Sequence, residues 1–217
     1  VVEIQFAMAA GTALVQKRCA GDGVTIVVGG DAGTAEGDFA SCMIWSTRPG
    51  QELPVLLIVM NNQWGISTAT KTQQSVRSVV DRGEAYGIPG ETVDGNDPVA
   101  SWYAIRRAFR WCRSKRRPYL LEPHVSRLHG HSSSSGALRT TEECDCCELF
   151  QQRLVEKSIL APDTVDALWD RARSESEQAV DTVLNEPQPT ADDVRKHTYS
   201  ASDVDSVYPT DYTGLPE

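Results

Sequence analysis

Val24-Thr25-Ile26-Val27-Val28-Gly29-Gly30-Asp31-Ala32 and Pro54-Val55-Leu56-Leu57-Ile58-Val59-Met60-Asn61-Asn62 follow one plan. Each is a short run of aliphatic residues that ends in a turn carrying an oxygen ligand. Neither run alternates apolar with polar residues, which is the pattern of strands covered on both faces of a parallel sheet. Between Ala32 and Asn61 lie 28 residues, enough for one crossover helix. Two such strands deliver a carboxylate and an amide to the same carboxyl edge, where open α/β sheets bind their ligands. Asp and Asn oxygens at that edge suit a hard cation such as Mg²⁺.

Working outward, the alternation of helix and strand continues. Ile4 to Gln16 predicts a helix of apolar and small residues that packs closely on a sheet. Asp38 is placed to cap a helix through Trp45. Val76 to Ala85 predicts a helix, Glu91 to Val93 a short strand, and Pro98 to Ser114 a helix with Pro in its first turn. The basic run Arg113 to Arg117 complements the negative end of that last helix as a solvated terminus. Tyr119 to Glu122 predicts a further buried strand. The fold class expected is α/β: a doubly wound, mostly parallel sheet with helices on both faces. A polar loop from His124 to about Thr141 follows, too long for a plain connector. Helices over 144–157 and 162–184 come next. Residues 187–217 carry prolines among acidic and small residues and are expected to be extended or disordered. The expected organisation is a cofactor-binding α/β domain over 1–143, a helical part of it over 144–186, and the tail.

The bulk properties narrow the classes. A net charge of −9 over 217 residues argues against a general nucleic-acid surface. No apolar run approaches the ~20 residues of a membrane span. No basic-then-apolar leader is seen, so a cytoplasmic location is expected, or the mitochondrial matrix in a eukaryote. Six cysteines occur, and Cys144, Cys146 and Cys147 flank Asp145 in a run open to metal or redox chemistry. The alternative for that run is reduced thiols at a helix start.

The spacing of Gly30-Asp31-Ala32 and Asn61-Asn62 resembles the Gly-Asp-Gly…Asn-Asn motif of enzymes that bind thiamine diphosphate through Mg²⁺. That resemblance implies the following roles: a diphosphate in a cleft needs a divalent cation, backbone N–H donors and a cationic side chain. Asp31, Asn62 and the Trp64 carbonyl offer ligands to the cation, and the N–H groups of Ala32 and Gly33 face the phosphates. Alone, Gly-Asp or Asn-Asn after a strand is an ordinary turn; the pair at this separation is what points to a site.

Several motifs occur in order: Gly30-Asp31-Ala32, Ala35-Glu36-Gly37-Asp38-Phe39, Asn61-Asn62-Gln63-Trp64-Gly65-Ile66-Ser67-Thr68, Tyr86-Gly87-Ile88-Pro89-Gly90 and Val93-Asp94-Gly95-Asn96-Asp97. Together they resemble the α subunit of the E1 component of 2-oxoacid dehydrogenase complexes, over roughly Gln5 to Val183. The resemblance implies the thiamine diphosphate-binding fold, with thiamine diphosphate and Mg²⁺ as cofactors. It implies oxidative decarboxylation of a 2-oxoacid, and acyl transfer to the lipoyl group of an E2 acyltransferase. It also implies an α2β2 heterotetramer whose β subunit supplies the glutamate that activates the cofactor, so the α chain alone is expected to be inactive. Ile66-Ser67-Thr68 leans towards the branched-chain type.

Ser126-Arg127-Leu128-His129-Gly130-His131-Ser132 is similar to the family's histidine loop. That likeness carries the diphosphate-binding role to Arg127, the active-site role to His131 and a neighbouring role to His129. Ser132 stands at a family phosphorylation position, and Gln5 at a glutamine near a monovalent-cation site. Ala32 stands where the family has Gly, which matters if that residue needs a positive φ. The family also carries a segment before the first helix here, so marginal stability and association are expected of this chain. Two alternatives stay open: a related acetoin-type dehydrogenase, and a non-catalytic fragment that keeps the fold.

Overall fold

The computed structural model describes residues 3–75, 78–132, 143 and 145–196. They form helices α1 (Ile4–Arg18), α2 (Gly37–Ser46), α3 (Val80–Glu84), α4 (Pro98–Lys115), α5 (Cys146–Glu156), α6 (Pro162–Asn185) and α7 (Ala191–Lys196). The strands are β1 (Thr25–Gly30), β2 (Val55–Met60), β3 (Trp64–Gly65), β4 (Thr68–Ala69), β5 (Gly90–Asp94) and β6 (Tyr119–His124). The chain divides into two compact units, Val1–Ile159 and Leu160–Glu217.

In the first unit β1, β2, β6 and β5 pair in that order, every pair parallel. The expected α/β fold with a parallel sheet is therefore present. β2 is central and buried from Val55 to Val59, as its unbroken apolar run requires. One face carries α1 and α2. The small residues Ala9, Ala10 and Ala13 of α1 let its backbone approach β1, and Phe6 of α1 meets Phe39 of α2 edge to face with ring centroids 5.0 Å apart. The other face carries α4, which buries Ala104, Ala108 and Cys112 on Leu56, Ile58 and Leu121. β1 departs from the expectation. Thr25 and Val27 are buried, but Ile26 and Val28 are about half exposed on the opposite face.

Local chemistry sets the element ends. Asp97 caps α4 by accepting from the Val99 and Ala100 N–H groups, ahead of Pro98 at the first helical position. At the other end Arg116 is left-handed, with φ 53°, and its guanidinium donates to the carbonyls of Gly21, Asp22 and Gly23. Arg113 pairs with Asp22. The basic run is thus a clasp on the Gly21–Gly23 turn rather than a freely solvated terminus. Asp38 lies inside the first turn of α2 instead of capping it.

Two further elements differ from expectation. The Asn-Asn loop is a small antiparallel hairpin, β3 with β4. In the second unit, Ala191–Lys196 forms a helix within the stretch expected to be extended, and both the N–H and the hydroxyl of Thr190 donate to the Asp193 carboxylate at its start. Among the described residues no helix is long and apolar enough to cross a membrane.

Candidate functional site

Parallel register sets the site. Gly30 lies opposite Met60, so Asp31 and Asn61 leave the sheet side by side. Asp31 is 1 % exposed and opens a short 3-10 turn, Ala32–Ala35. Ala32 lies in that turn and is absent from the positive-φ residues, so Ala is tolerated where the family has Gly. The Thr70 hydroxyl donates to Asp31 Oδ2, and the Gln74 amide donates to the Asp31 carbonyl at 2.9 Å.

The hairpin brings the second motif onto the first. A Cβ added at Gly65 would lie 2.6 Å from the Ala32 Cβ, so only glycine lets β3 settle on the Asp31 turn. Asn62 starts the hairpin by accepting the Trp64 N–H on Oδ1 at 2.9 Å, which leaves that oxygen a second lone pair. Two non-glycine residues here are left-handed, Gln63 with φ 63° and Ile66 with φ 56°. For a β-branched residue such as Ile66 this conformation costs about 1–3 kcal/mol, which surrounding contacts must hold. Arg127 supplies one of them: its Nη1 donates to the Ile66 carbonyl at 2.6 Å, and its guanidinium stands 5.4 Å from the Trp64 ring centre. Asp31, Ala32, Asn62, Trp64 and Arg127 therefore belong to one assembly.

The histidine loop is only partly drawn in. His129, His131 and Ser132 are exposed. Gln5 donates to the Val28 carbonyl at 3.1 Å and to Glu3 at 2.8 Å, tying the start of α1 to the end of β1.

Three features escaped the sequence. Glu3 is left-handed, with φ 63°, and its carboxylate accepts the Gly30 N–H at 3.2 Å. A Cβ at Gly33 would meet Glu3 Cγ at 2.0 Å, so this carboxylate lies directly on the glycine loop. An anionic oxygen is thus already received by a backbone N–H of the loop, which is the donor chemistry a phosphate needs. Second, Glu122 is fully buried on β6 and accepts from Ser78, from Asn61 Nδ2 at 2.7 Å and from the Val80 N–H at 3.2 Å. Burial pushes its carboxyl up, but these donors outweigh burial and hold it below the ordinary carboxylate range. Third, a polar cleft of about 520 Å³ opens beside the hairpin, between Asn62, Trp64, Asp94, Asn96, His124 and Ser126. None of these three had a distinctive signal, since each depends on a partner distant in sequence.

The donor set fits a hard divalent cation: a buried carboxylate, an amide oxygen and a hairpin carbonyl, all oxygen. The buried thiols do not compete, because burial raises Cys42 to about 11 and Cys112 to about 12.

Residues 1–192 match the family model of the dehydrogenase E1 component. The chain belongs to that family. Within the E1 family it is similar to α subunits. The pyruvate dehydrogenase E1 α subunit of Porphyra purpurea is 26 % identical over 82 % of this chain and 53 % of its own length. The 2-oxoisovalerate dehydrogenase subunit alpha 2 of Arabidopsis thaliana is 37 % identical over 64 % of this chain and 29 % of its own. The human testis-specific pyruvate dehydrogenase E1 α subunit is 28 % identical over 93 % of this chain and 53 % of its own. The chain spans about half the length of the curated E1 α relatives it matches most fully.

Proposed function

We propose that this chain is the diphosphate- and metal-binding part of an E1 α subunit that decarboxylates a 2-oxoacid with thiamine diphosphate and Mg²⁺. The observation that carries the proposal is the seating of the Asn62 hairpin on the Asp31 turn through Gly65 and Ala32. Asp31, Asn62 and the Trp64 carbonyl would hold Mg²⁺. The N–H groups of Gly30, Ala32 and Gly33 would meet the diphosphate, with Arg127 as its cationic partner. When bound, the cofactor supplies the electron sink that stabilises the carbanion left by CO₂.

The chain's own residues do the positioning. The Thr70 hydroxyl fixes Asp31 Oδ2 and leaves Oδ1 to a cation. Arg127 holds the strained Ile66 and so fixes the Trp64 carbonyl. His131, assisted by His129, would carry a proton at the reacting carbonyl once the loop closes on an assembled site. Gln5 is assigned to a monovalent-cation site and Ser132 to a phosphosite, where a phosphate would place charge beside His131.

Ile66-Ser67-Thr68 leans towards branched-chain 2-oxoacids over pyruvate, and the Arabidopsis relative named for 2-oxoisovalerate, 37 % identical over 64 % of this chain, supports that lean. The partners are an E1 β subunit, in an α2β2 assembly, and the lipoyl domain of an E2 acyltransferase. Residues 1–143 are the cofactor part, 144–186 its helical extension and 187–217 the tail. The location is the cytoplasm, or the matrix in a eukaryote.

Calorimetry of thiamine diphosphate binding, with and without Mg²⁺, tests this on the chain mixed with a β subunit. Mg²⁺-dependent binding that Asp31→Ala removes supports the assignment. A stable complex with no such binding overturns it.

One observation favours a second reading, the non-catalytic fragment. The Glu3 carboxylate takes a donor of the glycine loop and places negative charge where a diphosphate would lie. Its mark is partner binding indifferent to Mg²⁺ and cofactor.

A further inference from the structure

The Cys144-Asp145-Cys146-Cys147 run plays no part in the diphosphate site. Asp145, Cys146 and Cys147 each offer a ligand atom, and these atoms all lie within 4.8 Å of one another. Asp145 caps α5 by accepting the Cys147 N–H on Oδ1 at 2.8 Å, which fixes the carboxylate over the first turn. Cys146 and Cys147 open α5 as its first two residues. Asp145 and Cys146 are partly exposed and Cys147 is exposed, so an ion can enter from solvent.

We propose that Asp145, Cys146 and Cys147 form a binding site for a thiophilic divalent cation of the zinc class. Thiolate sulfur selects such ions over Mg²⁺ or Ca²⁺, and a carboxylate oxygen is an accepted third ligand. Sulfurs on a tetrahedral zinc with bonds of about 2.3 Å stand about 3.8 Å apart, which is within the 4.8 Å that bounds the ligand atoms here. The ligands ionise as they bind, releasing two thiol protons to solvent while the metal–sulfur bonds form. Solvent completes the coordination. Two adjacent thiols beside a fixed carboxylate exceed what capping needs, since Asp145 alone satisfies the cap. Bound there, the ion would fix the first turn of α5.

The probe is Cd²⁺, added to the reduced full-length chain and followed by the ultraviolet charge-transfer band of cadmium–thiolate bonds, with Zn²⁺ as competitor. One equivalent is expected to produce the band, and Zn²⁺ to displace it. Cys146→Ser with Cys147→Ser should abolish the band while circular dichroism stays unchanged. Asp145→Asn keeps the cap and removes the anionic ligand, so affinity should fall by about tenfold or more. Cys19→Ser, at an exposed thiol elsewhere, should change nothing. The absence of a band overturns the site, as does a band that survives the double serine variant or vanishes with Cys19→Ser. None of these outcomes depends on the thiamine diphosphate assignment.

Discussion

Two buried carboxylates stand near one edge of the sheet, and their surroundings differ. Glu122, on β6, is met by Ser78, Asn61 and the Val80 N–H. Asp31, just past β1, receives one hydroxyl, from Thr70, on one oxygen. A carboxylate with several neutral donors is a finished structural element. One that accepts a single side-chain hydroxyl keeps its other oxygen for the cation proposed above. The sequence pattern ranks them the same way, though without the reason: Asp31 sits in a motif, whereas Glu122 looks like one polar residue in a strand.

That contrast breaks most sharply at Asp31. Asp31→Ala should weaken Mg²⁺-dependent thiamine diphosphate binding in the α–β assembly by more than about 100-fold, close to 3 kcal/mol. Its thermal stability without cofactor should scarcely move. A large fall in melting temperature with intact binding would reverse the roles assigned to the two carboxylates.

Glu122→Ala should do the opposite and cost about 3 kcal/mol of stability, because Asn61, Ser78 and the Val80 N–H lose a charged acceptor. Denaturant unfolding measures it. Glu122 adds a pH signature whose sign follows from its lowered pKa. Its contribution is present above the ordinary, unfolded carboxylate value and is lost as pH falls through the lower folded value. Glu122→Gln should remove that acid-side loss, and an unchanged pH dependence would exclude Glu122 as its source.

Smaller effects sharpen the picture. Arg127→Ala should weaken cofactor binding about tenfold, and Arg127→Lys should restore little of it, because a point charge does not reproduce the guanidinium fork. Glu3→Ala should tighten binding by about threefold, the scale of a partly screened like charge. Weaker binding in that variant would mean that Glu3 orders the loop instead of obstructing it.

The strands and long helices were legible because their signals are local. β2 is apolar at every position, and α4 announces itself with Pro98 and a basic end. The site was legible as two motifs and a spacing. The contacts that join them were not, since Gly65 against Ala32 and Arg127 on Ile66 are pairings across 33 and 61 positions. The hairpin was hidden for another reason: Ile66 is left-handed, a conformation that its β-branched side chain argues against. The exposure of Ile26 and Val28 was equally hidden, because an all-apolar strand predicts cover on both sides.

The Cys112 thiol, fully buried beneath α4, donates to the Val55 carbonyl at 3.5 Å. A thiol so placed is a clock. An alkylating reagent reaches it only when α4 lifts from the central strand, so its labelling rate reports how often that layer opens. Exposed Cys19, which labels at once, supplies the zero of that clock in the same molecule.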